Sequence, residues 1–203
     1  MRESQQHAAV TGGAGTPLAA EHFVLLNAAR ASAKAVVRAR NVARGSAWTT
    51  GAFGGLTLLG VLFGDWQSLV LGASLIGLGV REGALAGRLA RFDVRAPRLL
   101  ALNQLALGVV LMVYCAVQVA LAFYSNGLSA ASQPVGDAKV DEILGGIGNL
   151  TRVITMVLYA GVGVMSVLGT GVMALYYIRR RSRLEAFLAT TQPWVVEVMR
   201  AAA

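Results

Sequence analysis

The chain has 203 residues, of which 56% are hydrophobic and only 14% charged, and its mean hydropathy is +0.60. Soluble domains run at roughly 45–50% apolar and about 25% charged, with charges recurring along every element because every element has a wet face. That excludes an ordinary soluble domain, and the formal charge of +8, set beside long apolar stretches, points to lipid headgroups rather than nucleic acid.

The first stretch, residues 1–16, is polar and Gly-rich and reads as a disordered tail. It has no apolar core, so it is no cleavable signal peptide. Thr16-Pro17 has the form of a helix start, and Gly45 that of a stop. Between them Asn27, Arg30, Lys34, Arg38 and Asn41 recur at spacings of three and four. One polar stripe on an otherwise Ala- and Val-rich surface predicts an amphipathic helix over 17–45. It would lie on the cytoplasmic membrane surface or against the base of the bundle.

Four uncharged or nearly uncharged stretches follow. A span needs about 20 residues to cross roughly 30 Å of hydrocarbon. The runs at 47–64 and 67–86 flank the turn Gly64-Asp65-Trp66-Gln67 and predict a tight hairpin, the second run continuing past Arg81-Glu82. A basic connection with Arg81, Arg88, Arg91 and Arg95 extends the second helix, and Pro97 is expected to end it. Spans at 99–124 and 153–178 enclose a polar loop, Ser125 to Thr151, in which Asp137 to Leu144 form a short helix before Gly145-Gly146. Arg179, Arg180, Arg181 and Arg183 stop the fourth span at the headgroups. Residues 184–203 form a cytoplasmic tail that returns to the interface. The expected fold is an all-α integral membrane protein, four transmembrane helices in two hairpins (46–183) preceded by the amphipathic helix.

Sixteen of the eighteen basic residues fall in the N-terminal region, the middle connection and the C-terminal tail, leaving only Lys139 and Arg152 for the other two connections. Retention of Lys and Arg in the cytoplasm then puts both termini inside. The Arg, Ala and Gly content is that of GC-rich codons, so the expected location is a bacterial inner membrane.

For chemistry, the absences weigh most. No span interior is expected to hold an ionisable side chain, which pumps, proton relays and voltage sensors require. His7 and His22 are isolated, Cys115 is the single cysteine, and no nucleophile-base pair, zinc spacing or phosphate-binding loop stands out. No catalytic residue, metal site or cofactor follows, and no enzyme is expected. Asp137, Asp141 and Glu142 read as a solvated acidic loop.

Small residues recur at helix-packing intervals: Gly51 with Gly55, Gly60 with Gly64, and Gly79, Gly83 and Gly87. In lipid such spacings let backbones approach closely. A second pattern is polar: Tyr114 and Gln118 on the third span, and Thr155, Tyr159, Ser166 and Thr170 on the fourth. It reads as interhelical hydrogen bonding or, alternatively, as the lining of a path. The basic set Arg30, Lys34, Arg38, Arg81, Arg88, Arg91, Arg95, Arg179, Arg180, Arg181 and Arg183 is placed to meet anionic lipid or an acidic partner.

No family's motifs are reproduced. The tight first hairpin with its flanking amphipathic helix resembles, in architecture alone and only up to about Ala90, the reticulon-type membrane-shaping proteins. The leading expectation is a non-enzymatic structural or accessory subunit that assembles with itself or other membrane proteins through Gly-rich faces. A small oligomeric channel or transporter lined by the fourth-span stripe is the first alternative. A membrane-shaping or lipid-binding hairpin is the second.

Overall fold

The computed structural model describes residues 19–124 and 138–202. The expected tail at 1–16, the Thr16-Pro17 helix start and Asp137 lie outside the described residues, as do the side chains of Asp141 and Glu142. Five α-helices make up the described chain: α1 (Ala20–Leu58), α2 (Trp66–Ala90), α3 (Ala96–Tyr124), α4 (Ala138–Thr190) and α5 (Pro193–Ala201). A short 3₁₀ segment, Leu59–Phe63, prolongs α1, and there is no strand among the described residues. Four helical stretches, Ala20–Phe63, Trp66–Ala90, Ala96–Tyr124 and Gly145–Thr190, are long and apolar enough to cross a membrane.

At 1.5 Å per residue, α1 with its 39 residues is about 58 Å long. The helix end expected at Gly45 is not there. A glycine ends a helix by turning left-handed, and the only positive-φ glycine described is Gly64. Gly45 stays helical, with Thr49 Oγ1 donating to its carbonyl at 3.0 Å, while buried Ala43 before it and Ala47 after it pack on neighbouring helices. The stretch up to Gly45 is thus the first part of one long rod, and it packs against the base of the bundle, one of the two placements expected for it. Its apolar face, Leu26, Ala29, Ala33, Val36, Ala39 and Ala43, is spent on the protein's own core.

α4, with 53 residues, is longer still, about 80 Å. It passes through Gly145-Gly146, where a short helix was expected to finish, and through the arginine cluster, where the span was expected to stop. Arginine is a good helix former, and Arg181 pairs with Glu185 one turn on at 2.8 Å. Beyond the cluster Leu184 and Phe187 are buried. Charge can end a membrane span without ending the helix.

The connections are short and specific. Gly64, at φ 79°, turns the chain and Asp65 caps α2 by accepting from the Gln67 N–H at 3.0 Å. Between α2 and α3 the reversal is made by Phe92, at φ 56°. A bulky residue in the left-handed region is uncommon; here it drives the ring into the core, stacked on Phe187 with centroids 5.3 Å apart. Asp93 then accepts from the Arg95 N–H at 2.9 Å, and Pro97 sits in the first turn of α3, where its missing N–H costs nothing. Pro97 therefore opens the third helix rather than closing the second.

α1 packs chiefly on α2, and α3 chiefly on α4, with thinner contact between α2 and α3. The main core lies at one end, where α1 before Gly45, the close of α2, the start of α3, the close of α4 and α5 converge. Because most of the arginines cluster there, we call it the basic end. α5 closes it with Val195 and Val196 buried, Trp194 edge-on to His22 and Arg200 Nε donating to the Arg91 carbonyl at 3.0 Å. The tail packs on the bundle's base.

Candidate functional site

Where the basic-end core meets the apolar spans, four helices converge on one carboxyl group. Glu82 of α2 is 0% exposed. Its position follows from spacing: Ser68, Gly72, Leu75, Gly79, Leu85, Ala86 and Leu89 are the other buried residues of α2, and Glu82 falls on the same face, whereas Arg81, about 100° round the helix, faces out. Gly79 provides the close approach. A Cβ there would sit 2.9 Å from the Ala47 carbonyl oxygen and 3.1 Å from the Gly51 nitrogen, so α1 lies against α2 and the adjacent Ser46 reaches the carboxyl.

Gln104 of α3, itself buried, donates from Nε2 to Glu82 Oε1 at 2.6 Å and to Ser46 Oγ at 3.3 Å. Asn103 donates from Nδ2 to the Leu78 carbonyl at 3.2 Å, the oxygen one helical turn before Glu82. From α4, Tyr177 is fully buried and its hydroxyl borders the carboxyl. Yet four buried oxygens here complete no hydrogen bond: Glu82 Oε2, Asn103 Oδ1, Tyr177 Oη and its neighbour Tyr176 Oη. Buried polar atoms are nearly always partnered, so this concentration is unusual. Among the described residues the one ion pair is Arg181 with Glu185, and no group of three His, Cys, Asp or Glu side chains could hold a metal.

The expectation that no span interior carries an ionisable side chain is therefore corrected. Adjacent helical residues face different ways, so Arg81 turns out while Glu82 turns in.

The polar pattern on α4 faces α3 and continues toward Glu82. Tyr159 meets Tyr114 edge-on with centroids 6.0 Å apart, Gly163 faces Cys115, and Thr170, its hydroxyl donating to its own helix at the Ser166 carbonyl at 2.7 Å, fills the space over Gly108. Thr155 and Ser166 are half-buried along the same side. Gln118 looks the other way, donating to Gln67 Oε1 of α2 at 2.6 Å. Farther from the basic end, α3 and α4 leave a groove of about 650 Å³ lined by apolar residues such as Met112, Cys115, Phe123 and Val164.

The glycines divide by role. Gly79 makes the close approach just described, Gly60 lies against Ser68 and Gly64 forms the turn. Gly83 meets only the Ala47 Cβ at 3.8 Å, and above Gly55 and Gly87 there is open space. A tighter contact, absent from the expected set, is Gly54 with Gly72: a Cβ on either would lie within 2.9 Å of the other's carbonyl oxygen. Their separation of eighteen positions in the chain gives no local spacing signal. The basic residues Arg30, Lys34, Arg38, Arg81, Arg88, Arg91, Arg95, Arg179, Arg181 and Arg183 are all exposed, and Arg180 lies over the Tyr176 ring at 4.7 Å.

The chain matches no family model, no curated protein and no solved structure.

Proposed function

We propose that this chain is a non-enzymatic, multi-pass membrane subunit that works by assembling with itself or with other membrane proteins, its basic end on the cytoplasmic side against anionic headgroups. The supporting observation is the free face of α4. Within its most apolar stretch only 6% of residues are buried. Gly161 and Gly169, eight positions apart on one side, have open space where a Cβ would stand, flanked by Met165 at 70% and Val172 at 65% exposure. Small residues between larger apolar ones are what a second helix packs on in lipid.

The polar residues of α4 are turned onto α3, so a channel lined by that stripe would require the two helices to part. A small transporter remains the second reading, favoured by the buried Glu82. The bacterial inner membrane and the inside placement of both termini belong to the proposal and rest on composition and on arginine placement.

Extraction in a mild detergent tests the assembly. The wild-type chain should run as a discrete complex, and joint Gly161→Leu and Gly169→Leu substitution should shift it to a smaller particle. A wild-type chain that is monomeric in several mild detergents and in native lipid particles overturns the reading.

A further inference from the structure

The assembly reading makes no use of Glu82. An ionised carboxylate taken out of water must be paired or neutralised, and among the described residues the surroundings of Glu82 offer no cation. From α1 it meets Ser46, from α3 Gln104 with Asn103 beside it, and from α4 Tyr177. All are neutral. On its own helix Arg81 is exposed, and no ion pair to Glu82 exists among the described residues. One carboxyl oxygen accepts from Gln104, while the other, Oε2, and the Tyr177 hydroxyl complete no hydrogen bond.

We propose that Glu82 is a proton-binding site, and that the bound proton holds the α1–α2 pair against the α3–α4 pair. A proton taken from solvent removes the buried charge, and the Glu82 and Tyr177 hydroxyls can then share a hydrogen bond in either direction. Sodium is the other hard cation such oxygens could take. The lone carboxylate and the absence of a ligand cluster among the described residues favour the proton. Release of the proton leaves an uncompensated negative charge where the pairs join. Within the first pair the backbones are in contact at Gly54–Gly72 and Gly79–Ala47, while contact between α2 and α3 is thin. The opening therefore falls between the pairs.

Infrared difference spectroscopy on the full chain in lipid nanodiscs tests the site. The wild type should show, near neutral pH, a carboxylic-acid C=O band that shifts in D₂O, disappears on alkalinisation and is indifferent to sodium. Glu82→Gln should lack it. Spin labels at exposed Val80 and Ile178, in a Cys115→Ser background, should move apart in alkali in the chain with Glu82 and stay fixed with Glu82→Gln. No such band near neutral pH, a band that survives Glu82→Gln, or a band abolished by sodium at constant pH overturns the proposal. So does a label distance insensitive to pH. Should Glu82→Gln fail to fold, the wild-type infrared titration decides alone, and its outcome is independent of whether the chain assembles.

Discussion

The basic end and the opposite half of this bundle are packed by different rules. At the basic end the buried residues include Leu26, Val36, Leu89, Phe92, Leu100, Leu184, Phe187 and Val195, the composition of a water-soluble core. In the opposite half they include Gly54, Ser68, Gly72, Leu75, Leu107, Gly108, Cys115, Gly163 and Thr170, mostly small or weakly polar, while Trp48, Phe53, Leu62, Phe63 and Trp66 stand out at 66–88% exposure. Water drives large apolar groups inward. Hydrocarbon does not, so helices there associate by close backbone approach and a few hydrogen bonds. One helix, α1, obeys both rules in succession without a break at Gly45.

If that division is right, truncating a large side chain should hurt most at the basic end. Phe92→Ala removes a ring that is 4% exposed and keeps a left-handed backbone that the ring no longer offsets. The expected loss is about 3–5 kcal/mol, the usual cost of deleting a buried Phe, read as a lowered midpoint in thermal unfolding of the detergent-solubilised chain. Phe63→Ala, on a side chain 88% exposed, serves as the control and should leave that midpoint nearly unchanged. Equal losses would erase the distinction between the two regions.

The opposite half should respond instead to loss of interhelical hydrogen bonds. Gln118→Leu breaks the 2.6 Å bond to Gln67, the side-chain link described between α2 and α3 in that half. Such bonds average about 0.6 kcal/mol in membranes and reach roughly 1.7. A drop within that range, measured by steric-trap or denaturant unfolding in lipid, is expected. A loss as large as that of Phe92→Ala would mean that this half is packed like the basic end.

How much of this was legible beforehand follows the same division. Uncharged length alone located the four membrane-competent stretches, because hydrocarbon imposes that rule on composition. At the basic end local signals compete with tertiary packing, and the packing prevails. Gly45 looked like a stop, Pro97 like an end and Arg179 to Arg183 like a border, yet each sits in or opens a helix because buried neighbours such as Ala43, Leu100 and Leu184 hold it there. Glu82 was legible in principle, since the spacing from Gly72 through Gly79 to Ala86 places it on the packing face. The Gly54–Gly72 contact was not, because it depends on how far α2 slides along α1 after the turn.

The smallest effect is expected at that turn. Asp65 is half-buried between the two helices, and its carboxyl is held below the usual carboxylate range, first by the Ser68 hydroxyl, against the opposing effect of burial, and further by the Gln67 and Ser68 backbone N–H groups. A carboxyl whose folded pKa is depressed stabilises the fold above its unfolded value, about 3.9, and loses that contribution as pH falls through both values. Asp65→Asn should therefore lower the unfolding midpoint slightly at neutral pH, and the gap from wild type should close below about pH 4. Added salt should leave most of it, since the contacts are short hydrogen bonds rather than distant charges. A gap that persisted in acid would show that Asp65 shapes the turn by its form and not by its charge, and the turn would then count as part of the packed lipid-facing half.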